Sequence, residues 1–110
     1  MDEEIVRATG DMAIVNNTAE HRFEARLPDG FAILRYHYDP AHRLILDHTE
    51  VPAAHRHQGI ATRLAAAALD FASHVGLVVV PVCPFVVAYL RQHPELNRLV
   101  GPATGRPPGE

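Results

Sequence analysis

Cysteine is scarce in this chain, and that scarcity sets the first limits. A single cysteine, Cys83, among 110 residues excludes an internal disulfide framework and a multi-cysteine zinc site. Lysine and tryptophan are missing altogether, so all ten fixed cations are arginines, a bias to which no function attaches. Ten cations against thirteen acids leave a net charge of −3 with histidine neutral. That leaves no surplus to neutralise a phosphate backbone, and no nucleic-acid partner is expected. No apolar run approaches the length that spans a bilayer, so no membrane partner is expected either. The opening MDEEIVRATG is acidic where a secretion leader is basic and then apolar, which makes a cytoplasmic location the expectation. Eight histidines invite a metal, but His55 and His57 lack a second pair at ligand spacing, and no metal site is expected.

What is present makes one domain over residues 1–100, followed by a tail, GPATGRPPGE (101–110), whose composition predicts disorder. Residues 12–18 read as a short strand. Over 21–27, Phe23, Ala25 and Leu27 alternate with Arg22, Glu24 and Arg26, the pattern of a half-buried antiparallel strand. Asp29-Gly30 is a hairpin signal, FAILRYHYD (31–39) a third strand, and residues 43–51 a fourth, closed by Pro52. From Ile60 to Val75 the apolar residues Ile60, Leu64, Ala67, Ala68, Phe71, Ala72 and Val75 recur at helical spacing, with Gly76 as the cap. The run 77–83 reads as a buried strand in which Pro81 removes one ladder amide. A second helix over 85–93 carries Phe85, Ala88, Tyr89 and Gln92 on one stripe and ends before Pro94. Strand 43–51, helix 60–75 and strand 77–83 then form a βαβ unit after an antiparallel meander, an α+β architecture.

The loop HRHQGIATRL (55–64) is the chemically suggestive stretch. In a βαβ unit it ends at a helix N-terminus, where unpaired amides and the positive end of the helix dipole point outward together. Gly59 permits positive φ or close approach, Ala61 is small, and Arg56 adds charge. A pyrophosphate fits this loop; a plain turn with solvated histidines fits it too.

Arg56-x-x-Gly59-x-Ala61, between a strand and a helix, resembles the acyl-CoA signature of the GNAT superfamily of N-acetyltransferases. His48-Thr49-Glu50-Val51-Pro52, Gln58-Gly59-Ile60-Ala61, Val80-Pro81-Val82-Cys83-Pro84-Phe85, Tyr89 and His93-Pro94-Glu95 together resemble its very small single-domain branch, over about residues 12–96. One departure is His57, where glycine is common in that branch. The resemblance implies a GNAT-like fold with splayed parallel strands, and acetyl-CoA as substrate. It implies that the amides of His57, Gln58, Gly59, Ile60, Ala61 and Thr62 hold the pyrophosphate, with Arg56 beside them. Backbone groups from Thr49 to Val51 would meet the pantetheine arm, and His93 would reach the phosphates. The missing amide of Pro81 is expected to keep the two strands from zipping together.

For transfer to an amine, Glu50 is the candidate base, with His48 on the same strand face as its partner. Cys83, before a helix start whose dipole favours thiolate, is a candidate acetyl acceptor or simply a packed core residue. Tyr89 is placed like the tyrosine that protonates the departing CoA thiolate in many GNAT enzymes, or else is a core aromatic. The acceptor is an unidentified amine or protein lysine, and a monomer is expected. A non-catalytic module that binds CoA or acyl-CoA remains the alternative.

Overall fold

Along β3 (Arg22–Leu27) Phe23 and Ala25 are fully buried on one face, as the alternation requires, and that face sets the architecture. The computed structural model describes residues 3–7 and 13–101. Before β3 lie β1 (Glu3–Arg7) and β2 (Ala13–Asn17); after it come β4 (Gly30–Tyr38) and β5 (Leu44–Glu50). Helix α1 (Ile60–Val75), β6 (Val79–Pro81) and α2 (Pro84–Gln92) follow, with short 3-10 turns at Ala53–His55 and Pro94–Leu99. The six strands form one sheet in chain order, antiparallel from β1 to β5 and parallel between β5 and β6. The expected meander gains β1, whose EEIVR holds only two apolar residues and so carries little strand signal. Of the expected tail, Gly101 is buried and its amide donates to the Val79 carbonyl at 2.8 Å; residues 102–110 lie outside the described residues.

Helix α1 has the expected bounds, and Gly76 closes it in the left-handed conformation at φ 78°. Ile60, Leu64, Ala67, Ala68, Leu69 and Ala72 pack on Ile14, Phe23, Leu34, Tyr36, Leu44 and Leu46 in one core. Full burial of Leu64 and of Leu69 contributes roughly 2 kcal/mol each. Val75, expected on the same stripe, is the last residue of the helix and is exposed.

On the opposite face the polar half of β3 is not simply solvated. Glu24 is 1 % exposed, held by Arg22 Nε at 2.6 Å, Asn17 Nδ2 at 2.9 Å and Arg26 Nε at 3.4 Å. Burial alone raises its carboxyl pKa; the hydrogen bonds from Arg22, Asn17 and Arg26, with the charge of Arg22, outweigh it and hold the group below its ordinary value.

Two irregularities position the site. The pairing of β4 with β5 runs Arg35 to His48 and then Tyr36 to Leu46, so Asp47 is an extra residue, a β-bulge. His37 Nδ1 shares a 2.7 Å hydrogen bond with Asp47 Oδ2 and pins it. The bulge swaps the faces of β5: Leu44 and Leu46 face the helices before it, Thr49 after it, while His48 and Glu50 turn the other way. The second irregularity is the parting of β5 from β6. Their pairing ends at Leu46 with Pro81, and β5 continues to Glu50 bonded only to β4.

The expected cause of that parting needs correction. The Leu44 amide donates to Val78 O and the Val82 amide to Leu46 O, whereas Val79 O accepts from Gly101. Alternation therefore turns the Pro81 nitrogen outward, away from β5. The strands separate because the Val82 and Cys83 amides both converge on Leu46 O, at 3.0 and 2.9 Å, and the chain turns into α2 at Pro84. For the same reason the strand expected over 77–83 shrinks to Val79–Pro81.

Candidate functional site

Val51 to Gly59 carry the chain from the end of β5 to α1. Most of this loop is exposed, and its 3-10 turn buries no residue. His57 and Gly59 both take left-handed backbone, at φ 67° and 79°. Gly59 is the N-cap of α1, and no side chain caps the helix. The first amides of α1 therefore lack intrahelical partners, and with the two left-handed residues before them they form a concave set of N–H donors. Arg56 stands beside this nest with its Nε donating to Val51 O at 3.2 Å. His57 occupies a left-handed position that favours glycine, which accounts for the glycine common there in the branch this chain resembles.

The nest opens on a cavity of about 350 Å³ lined by Val51, His55, Arg56, His57, Gly59, Ile60, Ala61, Thr62 and Phe85. Of the expected pyrophosphate residues, only Gln58 is not among its lining. Val51 and Arg56 also border a polar hollow of about 500 Å³ formed by Phe31, His48, Thr49 and Glu50. Thr62 and Phe85 border a third, of about 400 Å³, formed by Ala88, Tyr89, Gln92 and His93. Sharing these lining residues, the three hollows lie side by side as a trough, divided at its shared walls, from β5 past the nest to α2.

The residues of the α2 stripe have the expected spacing but a different role. Val86 and Leu90 are the buried residues of the helix, while Phe85, Ala88, Tyr89 and Gln92 line the trough. Tyr89 is half-buried and stacks on His93 with ring centroids 4.2 Å apart. Burial, reinforced by the Glu95 carboxylate, raises the Tyr89 hydroxyl pKa above its ordinary value, so the O–H stays protonated at neutral pH.

His48 Nε2 and Glu50 Oε2 lie 3.1 Å apart on one face of β5, as expected, and both are well exposed, at 56 and 60 %. On the other face the Thr49 hydroxyl meets Cys83 Sγ at 3.2 Å across the gap between the parting strands. Cys83 is the N-cap of α2 and only 3 % exposed, so its sulfur borders that gap from within the core. His48, Thr49, Glu50, Val51 and Arg56 thus border one hollow and Tyr89 and His93 another, while Cys83 lines none of the three.

Sequence reasoning missed Phe31, Phe85 and the pair Asp29–His55. Helical spacing puts Phe85 on one stripe with Tyr89 but assigns it no place in a site. The alternation of Ala32, Leu34 and Tyr36 on the core face already puts Phe31 on the open one, and that signal was available. Asp29 signalled only a turn, yet its Oδ1 lies 2.8 Å from His55 Nε2, 26 positions away.

A family model described as GCN5-related N-acetyl-transferase matches residues 22–99, from β3 through the second 3-10 turn. Protein NATD1 of Mus musculus is 34 % identical over 87 residues, 77 % of this chain and 79 % of that protein. Protein NATD1 of Gallus gallus and of Homo sapiens are each 41 % identical over 63 residues, 57 % of this chain. Those matches span 57 and 56 % of the chicken and human proteins, little more than half their length.

Proposed function

The chain belongs to the GCN5-related N-acetyltransferase family, and on that footing we propose that it transfers the acetyl group of acetyl-CoA to an amine. The observation that carries the reading is the nest: two left-handed residues before an uncapped sixteen-residue helix, opening on a cavity beside the parted strands. The diphosphate of CoA is the anion that suits it, since amides and the helix dipole act together there and Arg56 adds a full charge. The pantetheine arm then follows the trough past Val51 towards the gap, where β5 beyond Leu46 has one edge free of β6. Acetyl-CoA is the substrate in this reading, and the acceptor is a primary amine, either a small molecule or a lysine side chain.

Two routes fit the residues. In direct transfer Glu50 removes the amine proton, His48 holds the carboxylate, the amine attacks the thioester carbonyl, and Tyr89 protonates the departing CoA thiolate. In the covalent route the Cys83 thiolate attacks first. A new C–S bond forms as the bond to CoA breaks, and Tyr89 again supplies the proton. The amine then attacks the acetyl-cysteine, its proton passes to the Tyr89 phenolate, and the thiolate is returned. The contact with Thr49 holds Cys83 Sγ at the gap, which supports the second route.

Titration calorimetry with acetyl-CoA followed by transfer of radiolabelled acetyl tests the reading. Micromolar binding with label passing to amines is expected. A stable label on the protein that Cys83→Ala abolishes selects the covalent route; transfer undiminished in that variant selects the direct one. The exposure of His48 and Glu50 favours a second reading, a module that binds CoA without turnover. Binding with no acetyl transfer or hydrolysis supports that module, and no binding at millimolar acetyl-CoA overturns both readings.

A further inference from the structure

The nest needs a support that it does not itself contain. Residues 53, 54 and 56–59 are exposed, and the 3-10 turn before them has no buried anchor. His57 nonetheless holds a left-handed conformation that is costly for a residue with a side chain, and such strain persists only where the surroundings fix it. Arg56 bonds to Val51 O, within the same connection. His55, two residues before His57, is the less exposed member of the stretch, and its Nε2 bonds Asp29 Oδ1 at 2.8 Å. Asp29 stands in the tight turn joining β3 and β4, where Leu27 pairs with Gly30 and the register is fixed. Among the described residues this is the one side-chain hydrogen bond between the loop and another element of the fold.

We propose that Asp29 is a positioning residue for the nest: through His55 it ties the phosphate-binding loop to the rigid β3–β4 hairpin and holds its amides in the shape that receives a diphosphate. Asp29 is 65 % exposed and does not line the cavity, so its effect reaches the ligand only through His55. The His55 hydrogen bond is also the main reason the Asp29 carboxyl lies below its ordinary pKa. Preorganisation of this kind raises affinity by sparing the loop the ordering cost of binding. The inference rests on the diphosphate reading above, and the two can fail separately.

The test compares acetyl-CoA with acetyl-pantetheine, which carries the same thioester and no diphosphate. Wild type should prefer acetyl-CoA. Asp29→Ala should raise KM and Kd for acetyl-CoA about three- to fivefold, leave kcat unchanged, and leave acetyl-pantetheine unaffected. Asp29→Asn keeps an acceptor for the His55 ring and the turn-forming side chain, so it should recover most of the affinity. His55 also lines the cavity, so His55→Ala should weaken acetyl-CoA at least as much as Asp29→Ala, and the double variant should be no weaker than His55→Ala alone. Unchanged acetyl-CoA affinity in Asp29→Ala, or an equal loss with both substrates, overturns the clasp while the nest stands. A wild type with no preference between the substrates overturns the diphosphate reading and the clasp with it.

Discussion

Replacing Gly59 with alanine isolates the backbone conformation on which the nest depends. The glycine has φ 79°, and a Cβ built there meets nothing within 4 Å, so the penalty is conformational and not a clash. Holding an L-residue left-handed costs about 1–2 kcal/mol. Alanine also lowers the entropy of the unfolded chain, which returns about 0.4–1 kcal/mol. The net loss is at most about 1.6 kcal/mol, centred near about 0.8, or roughly 3–6 °C in melting midpoint at that centre for a domain of this size. Where the loop relaxes to escape the strain, the amides of Ile60 and Ala61 turn off their common focus, and acetyl-CoA affinity falls about fivefold. His57→Gly is the counterpart: it removes a side chain from a left-handed position, so it should leave the midpoint within a few degrees of wild type and keep the affinity. Scanning calorimetry and binding titration on the two variants read both quantities. A Gly59→Ala protein that melts with wild type and binds acetyl-CoA equally well refutes the left-handed cap, and with it the nest.

Glu24→Gln should cost about 2 kcal/mol at neutral pH, because it withdraws a buried carboxylate from Arg22, Arg26 and Asn17. The folded pKa of Glu24 is lowered, so its contribution is complete above the ordinary carboxylate value and is lost as pH falls through the folded one. Midpoints measured from neutral pH down through about 3 should therefore fall less steeply in the variant than in wild type, and equal slopes assign the acid limb elsewhere. Tyr89→Phe should lower kcat about a hundredfold with KM little changed. Since the Tyr89 pKa is raised, the wild-type rate should hold on the alkaline side through the ordinary tyrosine value of about 10 and fall only above it. An unaltered kcat in Tyr89→Phe removes it as the proton donor.

Features encoded over a few neighbouring residues were the ones legible in the sequence. Helix α1 was delimited to the residue because Ile60, Leu64, Ala68 and Ala72 repeat at its period and glycine flanks both ends. Gly59 marked the nest for the same local reason. The stripe through Phe85 and Tyr89 shows where this stops. Periodicity groups those residues on one face, but Val86 and Leu90 make an equally good stripe, and only the packing of α2 on β5 and β6 decides which is buried. Glu24 fails in the opposite way. Its alternation placed it correctly on the outer face, and its burial came from neighbours that read as solvated charges.

The irregularities that make the trough were invisible because each is a relation between distant strands. Nothing in LILDHTE distinguishes Asp47 as an extra residue; the bulge exists only against Arg35 and Tyr36, and its partner His37 is ten positions away. Yet without it Leu46, His48 and Glu50 would share a face. Thr49 would then point away from Cys83, and His48 and Glu50 would turn towards the helices. Pro81 offered a local explanation for the parted strands, and the hydrogen-bond parity removes it: the missing amide lies on the outer edge, where proline is tolerated in a sheet. The gap is instead made by Leu46 O accepting two successive amides, which ends the ladder whatever residue stands at 81. An alanine there would add a donor facing away from β5 and leave the gap open. The bulge at Asp47 and the shared acceptor at Leu46 are therefore the pair of backbone events that decide which β5 side chains meet the end of β6 and which meet the open trough.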